Sequence, residues 1–276
     1  MSELAVITGT THGIGRVTSR ELARAGKTVL MLCRDPVAAG AVREEIGKHA
    51  PRARVEVVRC DLASLASVRE AAACIRRDYP RIGLLINNAG MVSTRHRTSV
   101  DGFELTFATN HLGPFLLTAL LSEHLDSSAR IVTVASRIHY RGRLDLAAVT
   151  DGRARYGATA AYAQSKLANV MHTFALARRL AGTGITVNCL HPGVVATNLL
   201  PPWLRLVKPL ITRVMFDAER GARTTIHLAL DPTAAGVTGH YFDEYQVPRS
   251  ASALANDVAL QESLWARSAT WTGAPQ

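Results

Sequence analysis

Six short runs of aliphatic and β-branched residues recur along the chain, at Leu4–Thr8, Thr28–Cys33, Arg54–Arg59, Leu84–Asn87, Arg130–Ala135 and Ile185–Leu190. Longer segments with helical spacing separate them, including Ile14–Ala25, Val37–His49, Ser64–Asp78, Gly102–His124 and Ala160–Leu180. The short runs are almost wholly apolar instead of alternating, the pattern of strands covered by helices on both faces. Strand and helix in alternation predict βαβ units with right-handed crossovers, hence an α/β protein built on a doubly wound parallel sheet. No Pro/Gly/Ser-rich linker and no internal repeat interrupts the series, so residues 1–276 are expected to form a single domain.

Composition narrows the function classes. Hydrophobic residues at 47% and charged residues at 20% exclude a disordered or fibrous chain. The 32 Lys+Arg against 22 Asp+Glu give 32 − 22 = +10, but the 28 arginines and 4 lysines are dispersed, without a basic tract. With only 5% aromatic residues for base stacking, no nucleic-acid partner is expected, and the positive balance reads as compositional bias plus a phosphate-bearing ligand. Cys33, Cys60, Cys74 and Cys189 show no C-x-x-C spacing and no zinc pattern, so no metal is expected. Free thiols, a first segment that runs directly into a strand, and apolar stretches far short of the ~20 residues of a membrane span predict a cytoplasmic protein without integral membrane association.

The first strand runs into Thr8-Gly9-Thr10-Thr11-His12-Gly13-Ile14-Gly15. Glycines here permit a tight strand-to-helix turn and close backbone approach to a pyrophosphate, which the helix N-terminus then attracts. The sheet is therefore expected to be of Rossmann type, with Gly9, Thr11, His12, Gly13, Ile14 and Gly15 at a dinucleotide. Beyond the second strand, where an acid would accept hydrogen bonds from the ribose hydroxyls of NAD, stands Arg34. A guanidinium offers a 2′-phosphate a fork of charged donors, so NADP(H) is expected over NAD(H). Arg16 is a second candidate, and Asp35, one residue on, keeps the NAD alternative open.

The order T-G-x-x-x-G-I-G, Asp61-Leu62, Asn87-Asn88-Ala89-Gly90, Asn110, Ser136, Tyr162-Ala163-Gln164-Ser165-Lys166 and Pro192-Gly193 resembles the short-chain dehydrogenase/reductase family over roughly residues 3 to 245. Leu32-Cys33-Arg34-Asp35, Ser165 to Val170, His191 to Val195, Gly239-His240-Tyr241-Phe242 and Leu264-Trp265 resemble its retinol dehydrogenase and protochlorophyllide reductase branch. The resemblance implies that Asp61 and Leu62 lie at the adenine, and that Asn88, Ala89 and Gly90 line the cofactor. It also implies that Pro192, Gly193, Val195 and Thr197 run beside the nicotinamide, with Lys166 on its ribose. Tyr162 would exchange a proton with the substrate oxygen, Ser136 would hydrogen-bond that oxygen, and Asn110 would position a water passing protons on from Lys166. Tyr162 and Lys166 stand i, i+4 on one helix face, so a nearby ammonium is expected to lower the phenol pKa. His111, His139 and His191 read as structural or rim residues.

The substrate side falls on Arg137–Thr159, with Tyr140 and Tyr156 as candidate walls, and on a lid at about 194–216. In that lid Trp203, Val207, Leu210 and Val214 recur at helical spacing, interrupted by Pro209, as for a cover over an apolar small molecule, with packing between protomers or within the core, and membrane-surface contact, as the alternatives. A C-terminal tail follows at 246–276. The expected activity is reduction of a lipophilic ketone or aldehyde, with tailoring of a bacterial secondary metabolite as its expected setting. A C=C reductase and a silent cofactor-binding regulator are the alternatives. Family resemblance further implies a homodimer or homotetramer, paired through Gly102–His124 and Ala160–Ala181.

Overall fold

The computed structural model describes residues 4–151, 156–193 and 217–275. One eight-stranded sheet runs in the order β3-β2-β1-β4-β5-β6-β7-β8. Its strands are β1 (Leu4–Thr8), β2 (Thr28–Cys33), β3 (Val55–Arg59), β4 (Ile82–Asn87), β5 (Leu125–Val134), β6 (Thr186–Leu190), β7 (Tyr241–Phe242) and β8 (Pro248–Arg249). All neighbouring pairs are parallel except β7 and β8. The chain order reverses between β1 and β4, opening at their carboxyl ends the crevice in which such sheets bind ligands.

Along β1 the side chains alternate between two cores. Leu4 and Val6 join a cluster with Val68 and Ile75 of α3 (Leu65–Asp78) and Phe115 of α5 (Gly113–Leu121). Ala5 and Ile7 point the other way, to Leu22 of α1 (Gly13–Arg24) and Ile46 of α2 (Pro36–His49). Burial on both faces is why the strand sequences lack polar alternation.

The segment read as one helix from Gly102 to His124 is not continuous. A short α4 (Leu105–Phe107) passes into a π-helical turn, Ala108–Leu112, before α5 and a closing 3-10 turn, Ser122–His124. The long helix α6 (Ala158–Arg179) precedes β6, and α7 (Ala218–Leu230) packs beside α1. Two C-terminal helices, α8 (Ala253–Asn256) and α9 (Val258–Thr272), finish the chain.

Helix α9 lies on α6 and α5, on ground expected to pair with another protomer. The Trp265 ring meets Phe115 at 5.0 Å and His172 at 5.5 Å, and the Arg179 guanidinium stacks 3.9 Å above it. His111 Nε2 and Ser268 Oγ hydrogen-bond at 2.9 Å. The tail thus covers, within one chain, part of the surface the resemblance assigned to assembly. Among the described residues no helix is long and apolar enough to cross a membrane, and no group of three or more His, Cys, Asp or Glu could hold a metal.

Two stability predictions follow from this interface. Trp265→Ala should cost about 3 kcal/mol, read by urea unfolding. Burial holds His111 down to about 3 and His172 to about 4, so the folded state keeps both neutral. The unfolded chain binds protons first, near its ordinary pKa of ~6.5. Stability is therefore full above that pH and is lost as pH falls toward 4. A melting temperature that stays flat from neutrality down to that point would contradict it.

Candidate active site

Both turns that floor the crevice are pinned to each other. Asn88 Nδ2 donates to the carbonyls of Thr8 at 2.8 Å and Gly9 at 3.0 Å. Thr8 Oγ1 accepts from the backbone N–H of Asn88 at 3.1 Å and of Ala89 at 3.0 Å. Backbones come so close that a Cβ on Gly9, whose φ is +72°, would stand 2.7 Å from Ala89 Cα. A Cβ on Gly15 would stand 2.1 Å from the Gly9 carbonyl oxygen. The side chain of Asn88 thus belongs to this joint, and Thr8 is a member of it that the motif reading missed.

The N-terminus of α1 carries no side-chain cap and no acidic residue in its first turn, leaving its amides and positive dipole for an anion. Thr11 Oγ1 and His12 Nδ1 hydrogen-bond at 3.0 Å on the exposed side of the turn. At the end of β2 the arrangement favours a phosphate over a free ribose diol. Asp35 Oδ1 is committed to capping α2, accepting from Val37 N at 3.0 Å and Ala38 N at 3.1 Å. The Asp-Pro pair at Asp35-Pro36 is a helix-start signal that could have revealed this. Arg16 is bound to Glu45, at 2.6 Å. Arg34 is exposed, and no carboxylate pairs with it among the described residues. Asp61 Oδ1 accepts from Ala63 N at 3.0 Å, while Leu62 is buried beneath the turn.

Beyond the joint stand the residues that the sequence predicts to be catalytic. Lys166, only 2% exposed, donates from Nζ to the Val134 carbonyl at 2.8 Å. A Cβ on Gly90 would come within 3.3 Å of that Nζ and 3.8 Å of Asn110 Oδ1, so the glycine keeps open the space above both. Asn110 sits in the π-helical turn, a device common at functional sites. Its amide accepts from Met91 N at 2.8 Å and donates to Met91 O at 2.9 Å and Ser165 Oγ at 3.0 Å. These bonds tie the loop after β4 to the turn and to α6, and they commit the Asn110 side-chain amide.

The Ser136 hydroxyl lies close enough to the Tyr162 phenol to influence its proton and accepts from Ile138 N at 3.3 Å. Burial pushes the Tyr162 phenol up to about 12, opposed by the Ser136 hydroxyl. This corrects the expectation that Lys166 governs that pKa. The ammonium is turned to Val134 O and lies 5.7 Å from the ring centroid, and burial draws it down to about 8. A neutral phenol beside a hydroxyl can donate a proton to an oxygen that gains charge.

Pro192 and Gly193 follow β6, with Gly193 at φ +83°, while Val195, Thr197 and the whole 194–216 lid lie outside the described residues. A cavity of about 430 Å³ is lined by His96, Arg141, Arg143, Tyr156, Ala160 and Gln164, among others. Ala160 and Gln164 are each two positions from Tyr162 on α6, so they lie off the face that carries Tyr162. Tyr156 is one of its walls; Tyr140 is not, and stands 48% exposed with its hydroxyl on Ser250 O.

Residues 3–205 match the model of the short chain dehydrogenase family. Human retinol dehydrogenase 13 is 39% identical over 97% of this chain and 84% of its own length. Human polyprenol dehydrogenase is 38% identical over 98% and 85%. A solved blue fluorescent protein from a metagenomic library, in complex with NADPH, superposes with a TM-score of 0.70 at 27% identity, covering 87% of this chain and 95% of that one. The chain belongs to the short-chain dehydrogenase/reductase family and is an oxidoreductase of the CH–OH class.

If Arg34 holds a 2′-phosphate, Arg34→Ala should weaken NADPH binding about 10- to 100-fold and leave NADH almost unchanged. Cofactor titration followed by nicotinamide fluorescence checks this.

Proposed function

We propose that the protein is an NADP(H)-dependent reductase of lipophilic aldehydes or ketones, with Tyr162 as proton donor. One observation carries the reading: a half-buried Ser136–Tyr162 pair with its phenol held neutral, beside the buried Lys166 and the opening left by Gly90. Bound NADPH would supply the hydride. Tyr162 Oη would give its proton to the substrate oxygen, and Ser136 Oγ would hold that oxygen as charge develops. Lys166, fixed to Val134 O, would reach the nicotinamide ribose. The committed Asp35 and the exposed, uncommitted Arg34 support NADP(H). Retinol and polyprenol in the names of the relatives support a long apolar substrate, which the 194–216 segment with Trp203, Val207, Leu210 and Val214 would cover.

Free Cys33, Cys60, Cys74 and Cys189 suit a reducing, cytoplasmic setting. Any homodimer or homotetramer would pair through a surface other than the parts of α5 and α6 under α9.

Wild type and Tyr162→Phe, each offered NADPH and NADH with apolar aldehydes, ketones and enones, test the reading. Carbonyl reduction with NADPH should fall about 10²- to 10⁴-fold in the mutant. Reduction of only the C=C bond of an enone would move the assignment to an alkene reductase, and cofactor binding without turnover would favour a regulator. Carbonyl reduction should also decline above about pH 8, where Lys166 loses its charge while Tyr162 is still protonated.

A further inference from the structure

We infer that His139 is a positioning residue for Ser136, and that it ties the catalytic serine to the C-terminal segment. The inference rests on the proposed roles of Ser136 and Tyr162. His139 lies in the 3-10 turn Arg137–Arg141, which Ser136 caps, and is 0% exposed. Its Nδ1 is 2.8 Å from the Ser136 carbonyl oxygen, which can only accept. Its Nε2 receives the backbone N–H of Ser252 at 3.3 Å. These partners require the neutral ring with its proton on Nδ1. Burial lowers the affinity of His139 for a second proton, which agrees with that form.

A further donor, His139 N, reaches the same carbonyl at 3.1 Å. Tyr241 closes one side of the ring, edge-on at 4.7 Å, and Tyr140 lies against it at 4.1 Å. The serine is therefore held at both ends. His139 fixes its carbonyl, and Ile138 N–H occupies a lone pair on Oγ, leaving the hydroxyl hydrogen free to point at Tyr162. Ser252 begins α8, far beyond residues 3–205 that match the family model, so this support comes from the part of the chain outside that match.

Tyr162 itself provides the readout. In the protein with NADP⁺, the tyrosinate absorbance of wild type minus that of Tyr162→Phe isolates the titration of this one phenol. The same difference, taken on a His139→Ala background, should show it raised by about one pH unit as the Ser136 hydroxyl shifts away. The turnover number should drop about 10-fold, with the Michaelis constant for NADPH unchanged. His139→Asn, whose amide can place a donor where Nδ1 was, should restore both. His139→Gln keeps bulk and the contact with Ser252 but not that donor, and should resemble His139→Ala.

Tyr162 titrating at the wild-type pH in His139→Ala would overturn the inference. So would a His139→Asn variant no better than His139→Gln, which would make the ring's packing, not its donor, the cause. Because the titration needs no substrate, it judges His139 separately from whether carbonyls are turned over.

Discussion

The side-chain amide of Asn88 reaches across from the end of β4 to the carbonyls of Thr8 and Gly9, and Thr8 answers with a hydroxyl that accepts two backbone amides. This joint closes the two central strands at the point where the order of the sheet reverses. A parallel sheet leaves backbone polar groups unpaired at its strand ends, and buried ones are costly unless bonded. Here those groups are satisfied by each other, and the two loops become one rigid floor. Gly9 and Gly15 let the backbones close to within contact. With the floor set, the α1 amides face the crevice on one side, and Gly90 opens it over Lys166 and Asn110 on the other.

The cluster behind that floor works through burial more than through attraction between charges. Tyr162 is raised by loss of water, and Lys166 is lowered by the same cause. Pairing them directly would have favoured the phenolate. The ammonium is turned instead to the Val134 carbonyl, and burial alone raises the phenol above its ordinary value. The π-helical turn and the bonds of Asn110 keep α6 in register with the loop after β4, so the donor stands where the crevice ends.

Much of this was legible in the sequence because it rests on local rules. Strands buried on both faces must be apolar throughout, and runs such as Leu4–Thr8 and Thr28–Cys33 coincide with observed strands. The glycines at 9, 13 and 15 announce a tight turn by composition alone. Features that depend on distant partners were not legible. Nothing in the apolar pattern from Gly102 to His124 marks a π-helical turn, since the extra residue in the turn is tolerated by contacts with Met91 and Ser165. Two-residue strands such as β7 have no period to detect. His139 reads only as a structural or rim residue, with no partner to name, until the fold brings Ser252, over a hundred positions later, to its ring. The C-terminal helix is similar: Trp265 is a single aromatic residue in sequence but the centre of an interface in space.

The account stands or falls on hydride moving from the nicotinamide to a carbonyl carbon while the proton comes from Tyr162. NADPH carrying deuterium at both C4 positions of the nicotinamide, incubated with an apolar aldehyde in ordinary water, measures this in one product by mass spectrometry. The account predicts an alcohol carrying one deuterium on the carbinol carbon, formed by wild type and not detectably by Tyr162→Phe. An unlabelled alcohol, or labelled alcohol formed equally fast by both proteins, would contradict it.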